Sequence, residues 1–440
     1  VDVRTQPTPA RSTIFQPQFE QLSRIALEAL QAERLIALVA RLRESMPLYR
    51  ERLAGATPRA LGDLAGLPFT VKADLRDAYP LGMLAVPRDR LARIHASSGT
   101  TGNPTIGAYT KGDLAIFAEV NARSLALAGV MPGEMFQVAW GYGLFTGGLG
   151  MHGGGEALGA CVIPASSGNT ARQMQLLEAL PIVGIGATPS YAMLLAERFR
   201  SEGRTPHALR VAICGAEAWT REMRLELETQ LGVRAINIYG LTEIIGPGVA
   251  SECVDAQAGM HLQEDHFLAE ILDPETHAPV PEGTLGELVL TTLTREAMPV
   301  LRYRTGDLTS MTREPCSCGR TTARIDWLTG RVDDMLVIRG VNVFPTAVEE
   351  VLLGFPELSA NYRIIVERPA GALDEMLVEV EYHEGVGVDY TMLARRVTER
   401  LHETLLVSVN ARVVAPHTIE RVEVGKAKRV IDRRATARKE

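Results

Sequence analysis

Between residues 18 and 48, Phe19, Leu22, Ile25, Leu27, Leu30, Leu35, Leu38, Val39 and Leu42 keep a helical spacing. That spacing predicts one or two amphipathic helices at the start of the chain. The rhythm then changes. From about residue 90 to 300, short apolar runs at 136–140, 161–164, 182–185, 211–214 and 235–238 alternate with helical stretches at 171–180, 191–202 and 220–231. Such alternation predicts an α/β sheet with helices packed on it. Ligands bind these sheets outside the carboxyl ends of the strands. Gly215-Ala-Glu217 and Tyr239-Gly-Leu-Thr-Glu243 each follow an apolar run and so fall in that place. From residue 270 to 311 the pattern becomes antiparallel, with strands at 269–272, 286–293 and around Asp307. Beyond residue 334 come a helix at 346–353, strands at 361–366 and 376–382, a helix at 390–405 and a strand at 407–414. The expected fold class is therefore α/β in two domains. Residues 1–332 form a large domain of parallel and mixed sheets with an antiparallel subdomain, and residues 333–440 form a small α+β domain.

Composition narrows the function. The 440 residues, 46% hydrophobic, suffice for two or three domains and a large core. A formal net charge of −7 gives no electrostatic case for nucleic acid. No apolar run approaches the roughly 18 residues of a membrane span. Residues 1–15 are mostly polar and contain proline, without the apolar core of a signal peptide, so the cytoplasm is the expected compartment. Five cysteines in this length do not make a disulfide framework.

The densest chemistry is Ser97, Ser98, Gly99, Thr100, Thr101 and Gly102. Glycines let backbone approach a ligand, and hydroxyls add donors without bulk. A loop of this kind can wrap a polyphosphate with backbone N–H groups. It lacks the G-x-x-x-x-G-K-[ST] pattern of a P-loop, and taken alone it reads as a solvated loop. Three later motifs reverse that reading: Tyr239-Gly-Leu-Thr-Glu243, Tyr303-Arg-Thr-Gly-Asp307 and Gly330-Arg-Val-Asp333, followed by Gly425-Lys426. In this order they resemble the adenylate-forming superfamily of acyl-CoA synthetases, adenylation domains and luciferases.

Activating a carboxylate with ATP needs a phosphate cradle, an adenine platform, a ribose anchor, a carboxylate for the metal and a cation at the α-phosphate. Ser97 to Gly102 supply the cradle. Gly215, Ala216 and Glu217, running on to Trp219, supply the platform, and the same residues read alone are an ordinary strand-to-helix turn. Tyr239 can stack on adenine beside Gly240. Thr242 can donate to phosphate, and Glu243 can bind Mg²⁺ through oxygen. Asp307 can accept two hydroxyl hydrogen bonds from a ribose diol, with Arg331 adding a ribose or phosphate contact. By resemblance, Asp333 is the hinge of a rotating small domain, and Lys426 is the lysine that swings in for adenylation. Lys428 competes for that role, and Gly425 before Lys426 favours the latter.

Within the superfamily the chain resembles the phenylacetate-CoA ligase group over essentially its whole length. The most specific pieces are Leu75-Arg-Asp-Ala-Tyr79, Gly141-Tyr-Gly-Leu-Phe-Thr-Gly-Gly148, Arg331-Val-Asp-Asp-Met-Leu336 with Arg339-Gly-Val-Asn-Val-Phe-Pro345, and Gly425-Lys-Ala-Lys-Arg-Val-Ile-Asp432. Thr105 stands where the superfamily usually has lysine, and this group shares that threonine. Lys72 matches a lysine of the group that meets phosphate. Trp140, Tyr142, Gly143 and Phe145 form one expected wall of an aryl pocket, with Gly215, Ile245, Gly246 and Pro247 opposite; the aromatic cluster also reads as plain core. Trp140 stands where relatives often carry Tyr, which points to benzoate or aminobenzoate as alternatives to phenylacetate. Cys253, His261, Cys316 and Cys318 form either a structural zinc site or a set of reduced cysteines.

The resemblance implies an AMP-forming aryl-CoA ligase with ATP, Mg²⁺ and coenzyme A, acting through an aryl-AMP. The expected partners are an aromatic carboxylic acid, ATP and CoA, with no nucleic acid, no membrane and a homodimer as the assembly to look for. The rival is a stand-alone enzyme that adenylates an aryl acid and loads a carrier-protein thiol.

Overall fold

The computed structural model describes residues 11–97, 104–332, 336–339, 341–368, 373–387, 389–423 and 427–434. The amphipathic N-terminal segment forms the helix Arg24–Ser45, started by Ser23, whose side chain accepts from the Ala26 N–H. It buries Leu27, Leu35, Leu38, Val39 and Leu42. Leu22 and Ile25 share the periodicity without sharing the burial, and Ile25 is 83% exposed.

Among the described residues the main sheet has nine strands. Its parallel part runs through Cys161–Ile163, Met135–Val138, Ile182–Ala187, Val211–Gly215 and Arg234–Leu241. Ile182–Ala187 is buried at every position, the pattern of a parallel strand covered on both faces. The helices Thr170–Ala179, Pro189–Ser201 and Arg221–Leu231 fill the intervals between strands, as expected. Thr188 and Thr220 cap the last two through their side chains. The sheet continues antiparallel through Gly246–Glu252, Met260–Leu262, Arg324–Ile325 and Met311–Thr312.

A second, antiparallel sheet joins Phe267–Leu272, Gly286–Thr292, Tyr303–Thr309 and Gly330–Arg331. The C-terminal unit has its own core. Its sheet runs in the order Asn410–Val414, Glu375–Tyr382, Leu358–Glu367 and Val430–Asp432, with the helices Pro345–Leu353 and Tyr390–Leu405 against it.

Two long helices go beyond the sequence reading, Lys111–Leu127 and Thr146–Leu158. Six of the thirteen residues of Thr146–Leu158 are glycine, a composition that disfavours an isolated helix. Tertiary packing overrides the propensity. A Cβ at Gly150 would lie 2.3 Å from the Phe117 ring, and one at Gly154 would lie 2.4 Å from the Asn121 Cβ. The glycines are what let the two helices meet at backbone distance.

Candidate active site

The parallel strands Val211–Gly215 and Arg234–Leu241 pair in register, with Gly215 opposite Ile238. Their carboxyl ends bring Gly215-Ala-Glu217 beside Tyr239-Gly-Leu-Thr-Glu243 at one edge of the sheet. Ala216 takes φ of +74°, a left-handed conformation that costs a non-glycine residue about 1–2 kcal/mol. The turn aims Glu217 at the start of the Pro189–Ser201 helix, where Ser190 donates from Oγ to Oε1 at 2.9 Å and from its N–H to Oε2 at 3.2 Å. Trp219 is buried and donates from Nε1 to Asn237 Oδ1 at 3.1 Å, tying the platform segment to the next strand.

Tyr239 is buried, and its hydroxyl donates to Asp307 Oδ2 at 2.6 Å. Arg331 lies opposite Asp307 across an antiparallel pair and donates to Oδ1 at 2.5 Å. Burial, then the Asp307 charge, holds the Tyr239 hydroxyl well above its ordinary pKa, so it stays a neutral donor. Tyr303 donates to Glu243 Oε1 at 3.4 Å. The strand of Tyr303 and Asp307 therefore meets the Thr242–Glu243 turn on one side and Arg331 on the other.

Gly240 sits where no side chain fits, since a Cβ there would lie 1.8 Å from the Gly246 carbonyl oxygen. The turn after it is held by a residue that sequence reasoning missed. Arg295, 1% exposed, donates to the carbonyls of Glu243 (2.7 Å) and Ile244 and reaches Ala108 O at 3.3 Å. It also lies 4.9 Å over the Tyr109 ring. A lone arginine in Thr294-Arg-Glu296 carries no sequence signal for this role.

The hairpin of Leu91–Ala96 and Ile106–Thr110 flanks the hydroxyl-rich loop. Ser97 and Thr105 close its neck: Ser97 N–H donates to Thr105 O at 2.9 Å, and Thr105 N–H donates to Ser97 Oγ at 3.0 Å. Gly107 runs against Thr242, whose Cγ2 and carbonyl oxygen would each lie 3.1 Å from a Cβ there. Of the expected site residues, Ser98, Gly99, Thr100, Thr101, Gly102, Asp333 and Lys426 lie outside the described residues. Lys428 is exposed, and Lys72 begins the short helix Lys72–Asp77.

Gly246 and Pro247 of one expected pocket wall pack against the Lys111–Leu127 helix and the first residue of the Thr146–Leu158 helix. A Cβ at Gly246 would meet Thr146 Cβ at 2.8 Å and the Phe117 ring at 2.7 Å, and Pro247 O accepts from Asn121 at 3.0 Å. Tyr142 is half-buried, with its hydroxyl 3.1 Å from His152 Nδ1, and Gly143 and Phe145 continue the same turn. Trp140 is buried in the core at 3% exposure, and its Nε1 has no partner among the described residues. Ile245 is fully buried, and its carbonyl accepts from Tyr109 at 2.9 Å. Behind the loop, His95 lies 3.0 Å through Nδ1 from Leu144 O. A carbonyl only accepts, so Nδ1 carries the proton, and burial holds the ring pKa down.

The ligating atoms of Cys253, His261, Cys316 and Cys318 all lie within 4.8 Å of one another. Cys253 Sγ is 3.6 Å from Cys316 Sγ, and Cys318 Sγ is 3.4 Å from His261 Nε2. Tetrahedral zinc with bonds of about 2.0–2.3 Å needs ligand separations of roughly 3.5–3.8 Å. His261 Nδ1 lies 3.1 Å from Thr322 Oγ1. That contact turns Nε2 toward the cysteines, as an outer partner of a metal-bound histidine does.

The chain matches the family model for AMP-binding enzymes over residues 26–293 and the model for their C-terminal domain over residues 340–434. It is 51% identical to a phenylacetate-coenzyme A ligase of Thermus thermophilus over 96% of this chain and all of that one. It is 29% identical to a solved 2-hydroxyisobutyryl-CoA ligase in the postadenylation state in complex with 2-HIB-AMP, with a TM-score of 0.89 over 100% of this chain and 96% of that one. Against the same ligase with CoA in the thioesterification state the TM-score is 0.70 at 30% identity, over 96% and 93% of the two chains. On its sequence match and on the assembly of Tyr239, Thr242, Glu243, Asp307 and Arg331 at the sheet edge, the chain belongs to the AMP-binding enzyme family.

Proposed function

We propose that the protein is an ATP-dependent aryl-CoA ligase that forms an aryl-AMP and then an aryl-CoA thioester. The observation that carries this reading is the agreement, at 51% identity along 96% of the chain, with a phenylacetate-coenzyme A ligase. The Tyr239–Asp307–Arg331 chain beside the Thr242–Glu243 turn supports it, because a held carboxylate next to a phosphate-facing turn suits a nucleotide. In this reading Ser97 to Gly102 cradle the phosphates, Glu243 offers oxygen to Mg²⁺, and Asp307 takes the ribose. Lys426 places its charge at the α-phosphate. Residues 1–332 carry the acid and ATP, residues 333–440 act as the lid, and Asp333 is the hinge. Trp140, Tyr142, Gly143 and Phe145 wall the ring on one side, with Ile245, Gly246 and Pro247 on the other. The Cys253, His261, Cys316 and Cys318 set holds structural zinc. The enzyme works in the cytoplasm.

The test supplies ATP, Mg²⁺ and a panel of acids, and follows pyrophosphate release and thioester formation with CoA or with a holo-carrier protein. Phenylacetate, benzoate or aminobenzoate should exceed octanoate and longer acids in kcat/KM, with CoA as acceptor. Lys426→Ala should lose ~10²-fold in aryl-AMP formation, the scale of one transition-state donor, and much less in thioester formation from supplied aryl-AMP. No pyrophosphate with any aryl acid, or thioester on the carrier alone, overturns the reading.

A further inference from the structure

The Glu217 carboxylate has a third donor, from the other end of the chain. Ala427 N–H donates to Glu217 Oε1 at 2.6 Å, and Ala427 directly follows Lys426. With the two contacts from Ser190, both carboxylate oxygens are engaged by protein. The Ser190 pair fixes Glu217 at the N-terminal end of a 13-residue helix, where negative charge is favoured. The left-handed Ala216 immediately before it fixes the direction of the side chain. A strained turn held in place by its surroundings is a common device for aiming a functional group.

From this geometry we infer that Glu217 is a positioning residue. It seats the Lys426 segment for adenylation and does not act as a nucleotide ligand through its carboxylate. The inference rests on the aryl-CoA ligase reading. The chain superposes on the postadenylation state of its structural neighbour with a TM-score of 0.89, against 0.70 for the thioesterification state, so the contact belongs to the first arrangement. Two further bonds dock the small unit on the same helix: Asn361 Nδ2 donates to Glu197 Oε1 at 2.8 Å, and Arg421 Nε donates to Glu197 Oε2 at 3.2 Å. Those hold the unit as a body. The Glu217 bond reaches the residue beside Lys426.

The test measures both half-reactions in Glu217→Ala and Glu217→Gln. Removing the acceptor should cut kcat for aryl-AMP formation ~10- to ~100-fold, the scale of a hydrogen bond to a charged group. KM for ATP and thioester formation from supplied aryl-AMP should stay within about twofold. Glu217→Gln keeps one acceptor oxygen for Ala427 and should recover most of the loss, which a mere change of charge would not. The inference is overturned by a rise in KM for ATP at unchanged kcat, by equal losses in both half-reactions, or by no loss. A wild-type enzyme that makes no aryl-AMP would instead remove the functional reading beneath it.

Discussion

Asp307 is 1% exposed and carries a charge, so it is stable only while its partners hold it. Arg331 supplies the counter-charge, and Tyr239 supplies a short neutral donor from the neighbouring sheet. Tyr239→Phe should therefore do two things. It should lower stability by about 1.5–3 kcal/mol, the value of a hydrogen bond to a charged group, read as a fall in Tm. It should also let the carboxylate rotate on Arg331, so that KM for ATP rises several-fold while kcat at saturating ATP changes less. Unchanged KM for ATP would detach Asp307 from nucleotide binding. Gly240, the next residue, shows why this motif tolerates no side chain at its second position: 1.8 Å to a backbone oxygen can be relieved only by parting two strands.

At the scale of elements, the Cys/His cluster ties together three neighbouring strands of the main sheet. His261 lies in Met260–Leu262 and Cys253 just after Gly246–Glu252, while Cys316 and Cys318 sit on the turn before Arg324–Ile325. The last strand has two residues, too few to hold its register alone. Zinc bound there should appear at about one equivalent per chain in elemental analysis. A strong chelator or Cys318→Ser should lower Tm while leaving KM for ATP near its wild-type value. Metal-free protein with an unaltered Tm would make these reduced cysteines. The four Cys/His side chains could be grouped from sequence because their residue types share one chemistry, and the structure brings them together. Strands such as Val211–Gly215 were legible for a similar reason, since burial on both faces leaves a continuous apolar run. The Thr146–Leu158 helix and Arg295 were not. Six glycines hide a helix whose stability comes from its neighbour, and Arg295 acts through carbonyls that any sequence would provide. Leu22 and Ile25 err the other way, because periodicity reports a face and not what covers it.

Across the whole molecule the two units meet at a shallow recess lined by Arg200, Leu225, Glu226, Thr229, Gln230 and His383. Glu226 lies there with a side chain 19% exposed, 3.8 Å from His383 Nε2 and accepting from Gln230 at 2.9 Å. Burial first, then the charge of Glu197, pushes its pKa up to about 7. Between the ordinary value of 4.5 and about 7 the folded protein thus binds more protons at this position than the unfolded chain. Stability must then fall as pH rises through that window. His383 works in the opposite sense. Burial lowers its pKa below 6.5, so its contribution grows with rising pH until the unfolded imidazole is neutral. A wild-type curve alone would mix the two, and the difference between wild type and Glu226→Gln separates them. That difference should be flat below pH ~4.5 and should widen in favour of the variant up to about pH 7, with ~3 kcal/mol as the upper bound. It should then level off. Because Glu197 also anchors Asn361 and Arg421, the same ionisation sets charge against charge beside the bonds that dock the small unit. Glu226→Gln should therefore also favour the docked arrangement at pH 8, read as faster aryl-AMP formation relative to thioester formation. A difference curve without slope between pH 4.5 and 7 would show that Glu226 ionises as freely in the folded protein as in the unfolded chain.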